Sequence, residues 1–266
     1  MIFNIGITGH SGSLGGAVKR YKSRHKYFFF KEDIRNKKKL FYWFKKNKLD
    51  VIFHLAAIVP IKVVNKNRRK AYSVNYQGTK NIVDISKRLR VKWFFFASTS
   101  HVYMSSKKPI KENFSKAPIS YYGKTKLMSE KYIQKNLTNY CIGRIFSTSN
   151  KNQRKNYLVP DLKDKIKKAK KKIILKNLNH FRDFISKEDI TKVIYLLLEK
   201  KFIGVINIGS GRPIFLKDIA KIILKKYKKK GLFIDNKKKT YLIANIQKLK
   251  KQTGLTFKTN MRRMIF

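Results

Sequence analysis

The chain has 266 residues, which is enough to bury the core of one α/β unit with a small appended lobe. Its single cysteine, Cys141, excludes an internal disulfide, and no N-terminal stretch combines a basic start, an apolar run and a cleavage site, so we expect a cytoplasmic protein. The apolar runs fall far short of the roughly 20 residues that cross a bilayer, which argues against a membrane-spanning helix.

The formal net charge is +51, because 65 basic residues face only 14 acidic ones. A field of this strength attracts polyanions, so nucleic acid has to be considered as a partner. The lysines, however, lie in nearly every segment and not along one helix or arm, which argues against a dedicated nucleic-acid groove. We interpret the basicity as a source of nonspecific anion affinity, and the lysine runs such as 163–172 and 237–239 as solvated faces.

Short apolar runs alternate with helical patterns along the first half of the chain. In chain order, the predicted elements are strands at 2–8, 27–30, 51–55, 93–98 and 140–146, with helices that begin near residues 13, 36, 68 and 121. This repeated β-α-β pattern predicts a doubly wound, Rossmann-type parallel sheet with a ligand crevice at the carboxyl ends of its strands. After residue 147 we predict a polar loop to residue 156, a lysine-rich helix, short strands near residues 173 and 181, and a helix from about residue 187.

A glycine-rich turn, Thr8-Gly9-His10-Ser11-Gly12-Ser13-Leu14-Gly15, directly follows the first predicted strand and opens a helix. Gly9 permits the tight turn, Gly12 lets the backbone approach a pyrophosphate, and Gly15 lets the helix pack against the sheet. Free N–H groups at the helix N-terminus would hold the phosphates. Because the turn stands at the start of the β-α-β series, the sequence favours dinucleotide binding over a merely flexible turn.

Tyr122 and Lys126 are separated by four residues in a predicted helix, and Thr99 stands at the end of the fourth predicted strand. The four-residue spacing puts both side chains on one helix face, where the ammonium would stabilise the phenolate and lower the pKa of Tyr122 below its usual value of about 10. Such a phenol can exchange a proton with a substrate hydroxyl near neutral pH. The spacing alone is common by chance, but the order of glycine turn, strand end and Tyr/Lys helix predicts a catalytic site.

These motifs, together with others in the same order, resemble the extended short-chain dehydrogenase/reductase family, which includes UDP-galactose 4-epimerase and dTDP-4-dehydrorhamnose reductase. The resemblance runs nearly end to end. The segments that carry it are residues 8–15, 50–57, 74–79, 96–103, 121–126, 143–146, 182–185 with Asp189, and 207–211.

The resemblance implies an NAD(P)-binding Rossmann domain at 1–146 and a substrate-binding lobe at 147–266, interwoven with the last strands and helices of the sheet. It implies that Thr99, Tyr122 and Lys126 are the catalytic residues, and it implies no metal. The residues that it implies for binding NAD or NADP are Gly9, Ser11, Gly12, Ser13, Leu14, Gly15, Asp33, Ile34, Leu55, Ala56, Ala57, Asn75, Tyr122 and Lys126. Those that it implies for the substrate are Ser100, His101 and Arg182, whose guanidinium would pair with a diphosphate. Asp183 and Asp189 are better explained as carboxylates that cap backbone N–H groups.

The sequence departs from the family pattern at three places. At the end of the second strand, either Glu32 binds the ribose hydroxyls of NAD, or Lys31 and Arg35 favour the phosphate of NADP. Ser100 and His101 replace the Asp-Glu pair of the dehydratases, so dehydration is not expected, and His101 is either an acid or base or a histidine that only packs beside the site. Residues 147–156 replace the usual Asn-x-Tyr-Gly-Pro.

The leading hypothesis is an NAD(P)-dependent oxidoreductase or epimerase that transfers a hydride at a carbon of a nucleotide-activated sugar, with C4 as the expected carbon. Tyr122 would act as the acid or base, and the chain length slightly favours a reductase. The alternative hypothesis is a catalytically inactive dinucleotide-binding protein whose basic surface binds nucleic acid or another polyanion. By analogy with the family, we also expect a homodimer.

Overall fold

The computed structural model describes residues 1–151, 153–170, 172–235 and 239–266. Its strands are β1 (Asn4–Thr8), β2 (Lys26–Phe30), β3 (Val51–His54), β4 (Trp93–Thr99), β5 (Tyr140–Ile145), β6 (Lys172–Lys176), β7 (His180–Asp183), β8 (Gly204–Ile208), β9 (Pro213–Phe215), β10 (Lys230–Ile234) and β11 (Thr240–Leu242). Its helices are α1 (Ser13–Arg20), α2 (Lys37–Lys46), α3 (Ile61–Lys66), α4 (Arg68–Tyr72), α5 (Gly78–Arg88), α6 (Tyr121–Asn136), α7 (Leu158–Lys168), α8 (Lys187–Glu199), α9 (Leu216–Lys226), α10 (Gln247–Thr253) and α11 (Met261–Ile265).

Six parallel strands form the main sheet in the order β2-β1-β3-β4-β5-β8. The chain order reverses between β1 and β3, and in open sheets of this kind the ligand crevice lies at such a switch point, outside the carboxyl ends of the strands. Thr8, His54 and Thr99 are the last residues of β1, β3 and β4, so the sheet brings them to this edge. The predicted Rossmann-type α/β fold is confirmed.

The main sheet is covered on both faces, which explains why its strands are continuous apolar runs. Along β4 the side chains alternate: Phe94 and Phe96 pack with Ile52 beneath α2 and α5, whereas Phe95 packs with Phe53 beneath α8. All five are fully buried. The two cores therefore fix the register of β4, and with it the position of the residues at its carboxyl end.

The chain after residue 146 contributes to two parts of the structure. It supplies β8 to the main sheet and α8, which packs against α1. It also forms the β10-β6 pair and the three-stranded β11-β7-β9 sheet. Helices α7, α9 and α11 pack with these strands around a separate core, which includes Leu162, Ile166, Leu175, Ile223 and Met264.

The region from residue 61 to 88 differs from the single helix that the sequence predicts from about residue 68. The structure has α3 before that point, then α4, a π-helical turn at Ser73–Gln77, and α5. Asn67 ends α3 and caps α4, since its side chain accepts a hydrogen bond from the backbone N–H of Lys70 (2.9 Å). A π-helical turn inserts extra backbone into a helix and is frequent at functional sites.

The lysine-rich segment 163–170 includes the end of α7, which buries Val159, Leu162 and Ile166 on one face. Its lysines therefore extend from an amphipathic helix, as the pattern predicts. Lys171, Lys237 and Lys238, which the sequence analysis assigns to lysine runs, lie outside the described residues. None of the helices in the described ranges is long and apolar enough to cross a membrane.

Candidate active site

The glycine turn lies at the carboxyl end of β1 and needs glycine at two positions. Gly9 has a φ of +74°, and a Cβ there would lie 2.5 Å from the backbone nitrogen of Ala56. A Cβ on Gly15 would lie 2.2 Å from the carbonyl oxygen of Gly9. These close approaches hold the start of α1 against the strand ends.

The N-terminus of α1 has the chemistry of an anion site. Gly12 is its N-cap residue, and no side chain caps the first turn in the described part of the chain. Helix geometry leaves the N–H groups of this turn without intrahelical acceptors, and they point along the axis with the positive end of the helix dipole. The turn therefore fits a pyrophosphate, as the sequence predicts.

Tyr122 and Thr99 are held side by side. Tyr122, in the first turn of α6, is only 6% exposed, and its phenol lies close enough to Thr99 for that side chain to affect its pKa. The α6 N-terminus is fixed by Ser120, whose hydroxyl accepts a hydrogen bond from the N–H of Gly123 (3.1 Å). A Cβ on Gly123 would lie 2.3 Å from the carbonyl oxygen of His101, so this glycine lets α6 pack directly on the chain that follows β4.

Burial dominates the proton affinities of Tyr122 and Lys126. It raises the pKa of Tyr122 well above the ordinary value, Tyr157 raises that pKa further, and the Thr99 side chain opposes both effects. Burial lowers the pKa of Lys126 to about 7, against the opposing effect of the Glu130 carboxylate. The sequence-based expectation that Lys126 lowers the pKa of Tyr122 is therefore wrong, because desolvation of the phenol outweighs the effect of an ammonium that is itself desolvated.

Lys126 is fully buried, and its ammonium lies 3.8 Å from the centre of the Phe96 ring. A desolvated cation over an aromatic face gains from the ring quadrupole. Lys126 is thus placed one helical turn after Tyr122, on the same face of α6, beneath the end of β4.

Asn75 uses its side chain to hold backbone. Its Oδ1 accepts from the N–H of Ile58 (2.7 Å), and its Nδ2 donates to the Ile58 carbonyl (3.0 Å) and to Thr125 Oγ1 (3.2 Å). The π-helical turn thereby ties the loop after β3 to α6. This arrangement makes Asn75 a positioning residue for the loop that contains Ala56 and Ala57.

Arg182 has no carboxylate partner among the described residues. Its guanidinium donates to the carbonyls of Phe181 (2.7 Å) and Thr240 (3.1 Å) and to Thr240 Oγ1 (3.0 Å). Burial lowers the pKa of Arg182 to about 10, which still leaves it charged at neutral pH. Burial and the charge of Arg182 lower the pKa of His101 to about 4, so this histidine is neutral at pH 7, and its ring lies 6.1 Å from the Tyr122 ring.

A cavity of about 710 Å³ brings these features together. The predicted site residues that line it are Gly9, Gly12, Ser13, Leu14, Gly15, Leu55, Ala57, Thr99, His101, Tyr122 and Arg182. Ser11 lines an adjoining cavity in front of α1. The predicted site residues that do not line either cavity in the described ranges are Asp33, Ile34, Ala56, Asn75, Ser100 and Lys126.

Four of these other residues are engaged elsewhere. Asp33 is paired with Arg35 on the surface, and Ile34 is buried against the position of Gly78. Ser100 is buried, and its carbonyl accepts from the N–H of Tyr103 (3.1 Å). Ala56 packs behind Gly9.

The two aspartates assigned to capping do hold local structure. Asp183 accepts from the N–H groups of Ser210 (2.7 Å), Gly211 (2.9 Å) and Ala244 (3.1 Å). Asp189 accepts from the hydroxyl of Ser186 (2.7 Å), which caps α8. Neither carboxylate lines the cavity that contains Tyr122. Asp183 holds backbone N–H groups as predicted, whereas the Asp189 carboxylate accepts from a side-chain hydroxyl.

Sequence reasoning missed two residues near the site. Tyr157 lines the cavity and raises the pKa of Tyr122, but it follows the segment where the family pattern is lost, so no motif marks it. His54 lies between Thr8 Oγ1 (2.7 Å from Nδ1) and Thr79 Oγ1 (2.8 Å from Nε2). Because Thr79 donates its hydrogen to the carbonyl of Asn75 (2.6 Å), His54 must donate from Nε2 and accept from Thr8 at Nδ1. This neutral histidine links β1 to α5 behind the glycine turn.

Residues 5–209 match the NAD dependent epimerase/dehydratase family. The chain belongs to this family. The similarity predicted from the motifs is thereby confirmed.

Named relatives match part of the chain. GDP-6-deoxy-D-talose 4-dehydrogenase of Aggregatibacter actinomycetemcomitans is 34% identical over 176 residues, which are 63% of this chain and 58% of that protein. An uncharacterized UDP-glucose epimerase of Bacillus subtilis is 33% identical over 169 residues, which are 61% of this chain and 54% of that protein. The chain thus spans somewhat over half the length of these curated relatives.

Solved structures share the fold over nearly the whole chain. UDP-glucose 4-epimerase of Thermotoga maritima, solved with UDP-glucose, has a TM-score of 0.84 at 21% identity and covers 98% of this chain and 96% of its own. dTDP-4-dehydrorhamnose reductase of Bacillus anthracis, solved with NADP, has a TM-score of 0.85 at 19% identity and covers 99% of this chain and 98% of its own. At these identities the likeness establishes the fold.

Proposed function

We propose that the protein is an NAD(P)-dependent enzyme that reduces or epimerises a nucleotide-activated sugar at a sugar carbon, C4, with Tyr122 as the acid or base. The observation that carries this proposal is that one cavity is lined by Tyr122 and Thr99, the glycine turn and an Arg182 without a carboxylate partner in the described ranges. Membership of the epimerase/dehydratase family supports it.

The described residues fit a dinucleotide. The uncapped N-terminus of α1 accepts a pyrophosphate, and the glycine at position 15 leaves no Cβ in the way. Bound NAD(P) would accept or supply the hydride. Solved structures of this fold contain NAD or NADP, which supports the assignment.

Tyr122 is proposed to move the proton. Burial keeps its phenol protonated near neutral pH, so in the reductive direction it donates the proton to the oxygen of the sugar carbon that receives the hydride. Thr99, within hydrogen-bond reach of the same phenol, orients that oxygen. In the oxidative direction Tyr122 takes the proton back as the hydride leaves. Lys126 and Asn75, which do not line the cavity, hold the site from behind.

Arg182 is proposed to bind the diphosphate of the nucleotide sugar. A half-buried guanidinium that donates only to neutral oxygens in the described part of the chain keeps an uncompensated charge, which a diphosphate would neutralise. The planar fork suits phosphate oxygens. Two relatives named for GDP- and UDP-linked sugars support this substrate class.

Three features of organisation are proposed along with this function. The boundary between the NAD(P)-binding domain and the substrate lobe falls at residues 146/147, the protein forms a homodimer by analogy with its family, and it works in the cytoplasm. Nonspecific attraction of polyanions by the charge of +51 accompanies these properties.

In the first test, the purified protein is titrated with NADH and with NADPH at two salt concentrations. Quenching of the Trp43 and Trp93 fluorescence reports the binding. We expect saturable binding that survives high salt, and then nicotinamide consumption with 4-keto nucleotide sugars. Binding that is weak and lost with salt would overturn the enzyme proposal and favour the inactive, polyanion-binding alternative.

The acid–base role has its own control. Tyr122→Phe should lower kcat by roughly 10²- to 10⁴-fold while leaving the affinity for the cofactor intact. Tyr121→Phe removes the neighbouring hydroxyl from the same helix turn and should retain activity. Equal activity in wild type and Tyr122→Phe would rule out this role.

A further inference from the structure

We propose that the cofactor is NADP(H) rather than NAD(H), and that Lys31 selects it by binding the 2′-phosphate of the adenosine ribose. This inference rests on the proposed function, since it concerns the same dinucleotide site. It settles the choice between Lys31, Glu32 and Arg35 that the sequence leaves open.

Lys31 stands where a ribose-recognising residue belongs. Phe30, the last residue of β2, is in register with Thr8, the last residue of β1, so the chain leaves β2 beside the glycine turn. His10 fixes this junction, because its Nδ1 donates to the carbonyl oxygen of Phe30 (3.1 Å). In doubly wound folds, the residue that meets the 2′ position of the ribose lies about 20 residues beyond the glycine motif, and Lys31 is the first residue after the strand.

The two carboxylates that follow Lys31 are each paired with a base. Glu32 Oε2 accepts from the ammonium of Lys39 on α2 (2.9 Å). Asp33 forms a forked pair with Arg35, in which Nε lies 3.0 Å from both carboxylate oxygens. Asp33 also accepts from the N–H of Arg35 (2.9 Å), which makes the pair part of the turn itself. The ribose hydroxyls of NAD would therefore have to compete with a base for either carboxylate.

The same pairs leave Lys31 with the uncompensated charge. Arg35 is neutralised by Asp33, and Lys39 by Glu32. Lys31 is exposed and forms no ion pair in the described part of the chain. A phosphate ester at the 2′ position would meet this ammonium without displacing any existing pair, and charge-assisted hydrogen bonds to phosphate are among the stronger ones.

The experiment measures binding by calorimetry and by quenching of Trp43, which lies on α2 and packs on Phe30 (ring centres 5.1 Å apart). Wild-type protein is titrated with NADPH and NADH, and with 2′,5′-ADP and 5′-ADP as probes of the adenosine half alone. We expect roughly a 10- to 100-fold preference for the 2′-phosphorylated member of each pair, the range of one hydrogen bond to a charged group. Lys31→Glu should abolish this preference.

Lys38→Glu is the matched control, because it makes the same charge change at an exposed lysine of α2. This substitution should weaken the binding of NADPH and NADH, and of 2′,5′-ADP and 5′-ADP, by the same small factor. Equal or tighter binding of NADH by the wild type, or an equal loss of preference in Lys31→Glu and Lys38→Glu, would overturn this inference and leave the proposed function standing. Failure of both dinucleotides to bind would instead overturn the proposed function.

Discussion

At the scale of single residues, the site combines ionisable groups that burial keeps out of their ordinary states. Tyr122 holds its proton more tightly than a free phenol, and Lys126 holds its proton less tightly than a free amine. His101 is neutral over most of the pH range, because burial and Arg182 both oppose its charge. Beside the lysines that line it, the cavity thus presents the charged guanidinium of Arg182 and a protonated phenol.

The lowered pKa of His101 predicts a dependence of stability on pH. Between the folded pKa of about 4 and the unfolded value of 6.5, the unfolded chain binds more protons, so the free energy of unfolding rises with pH through this window. His101 should contribute up to about 3 kcal/mol to that rise. His54, whose pKa is also lowered by burial, acts in the same direction.

The wild type and His101→Asn are unfolded with urea at about pH 4.5 and about pH 7, two values that together cover most of this window. The comparison isolates the contribution of His101, because His54 is common to both proteins. The variant should lose less stability on acidification than the wild type. An identical pH dependence in the two proteins would show that His101 is not desolvated.

Arg182 provides a second prediction at this scale. Arg182→Met should raise the KM for the nucleotide sugar by roughly 10- to 100-fold, because a charge-assisted contact to the diphosphate is lost. The kcat should change less than the KM, since the guanidinium donates to Phe181 and Thr240 and not to Tyr122 in the described part of the chain. The free energy of unfolding should fall only modestly, because Arg182 is half-buried and its hydrogen bonds in the described part of the chain go to neutral oxygens. Steady-state kinetics with Arg182→Lys as the charge-retaining control checks this, and a lower kcat with unchanged KM would contradict it.

At the scale of elements, the sequence predicts most of what local pattern determines. The glycine turn, the end of β4 and the Tyr/Lys helix are each readable from short motifs, and the structure brings Gly9, Thr99 and Tyr122 into one cavity. Long-range contacts decide the rest. Nothing near Asn75 in sequence shows that its side chain holds Ile58 and Thr125, which lie 17 and 50 residues away along the chain.

The first turn of α1 allows a matched pair of substitutions. Gly15→Ala places a methyl group 2.2 Å from the carbonyl oxygen of Gly9, so the turn must shift and its N–H groups move away from the pyrophosphate. Gly16→Ala meets only the mobile end of Arg20, at 3.6 Å. We expect Gly15→Ala to lose at least roughly tenfold in cofactor affinity, as for one misplaced charged hydrogen bond.

Gly16→Ala should keep that affinity and stabilise the protein by up to about 1 kcal/mol through helix propensity. Cofactor titration together with thermal unfolding measures both. Equal affinities in the two variants would mean that the close contact at Gly15 does not shape the phosphate site.

A buried ion pair joins α6 to β5 behind the site. Arg144 and Glu130 are each about 1% exposed, with Arg144 Nη2 2.7 Å from Glu130 Oε2. Arg144 also donates to Tyr103 Oη (2.8 Å) and to the carbonyl of Glu112 (2.7 Å). Removing one partner leaves the other charge buried and unpaired.

Arg144→Met or Glu130→Met alone should therefore each cost about 3–5 kcal/mol of unfolding free energy. The double variant should cost clearly less than the sum, which a double-mutant cycle by urea unfolding measures. Strict additivity would show that the two charges do not depend on each other.

At the scale of the whole molecule, the charge of +51 acts on a fold whose motifs are those of an enzyme family. Acidic side chains are few, and many already form ion pairs with lysines, such as Asp50–Lys92 and Asp161–Lys62. The remaining lysines repel one another through the solvent, and this repulsion favours the expanded, unfolded chain.

This repulsion predicts that neutral salt stabilises the protein. Raising NaCl from about 0.1 M to about 1 M shortens the Debye length from about 10 Å to about 3 Å. The added salt therefore screens the repulsion between exposed lysines. The urea midpoint should rise, with a gain in unfolding free energy on the order of 1 kcal/mol or more, since many weak pairs contribute. Sodium sulfate at the same ionic strength adds surface exclusion and anion binding to screening, so an equal gain in the two salts indicates that screening alone accounts for the effect. A fall in stability with NaCl would show that attractive pairs, not repulsion, dominate the surface of this basic protein.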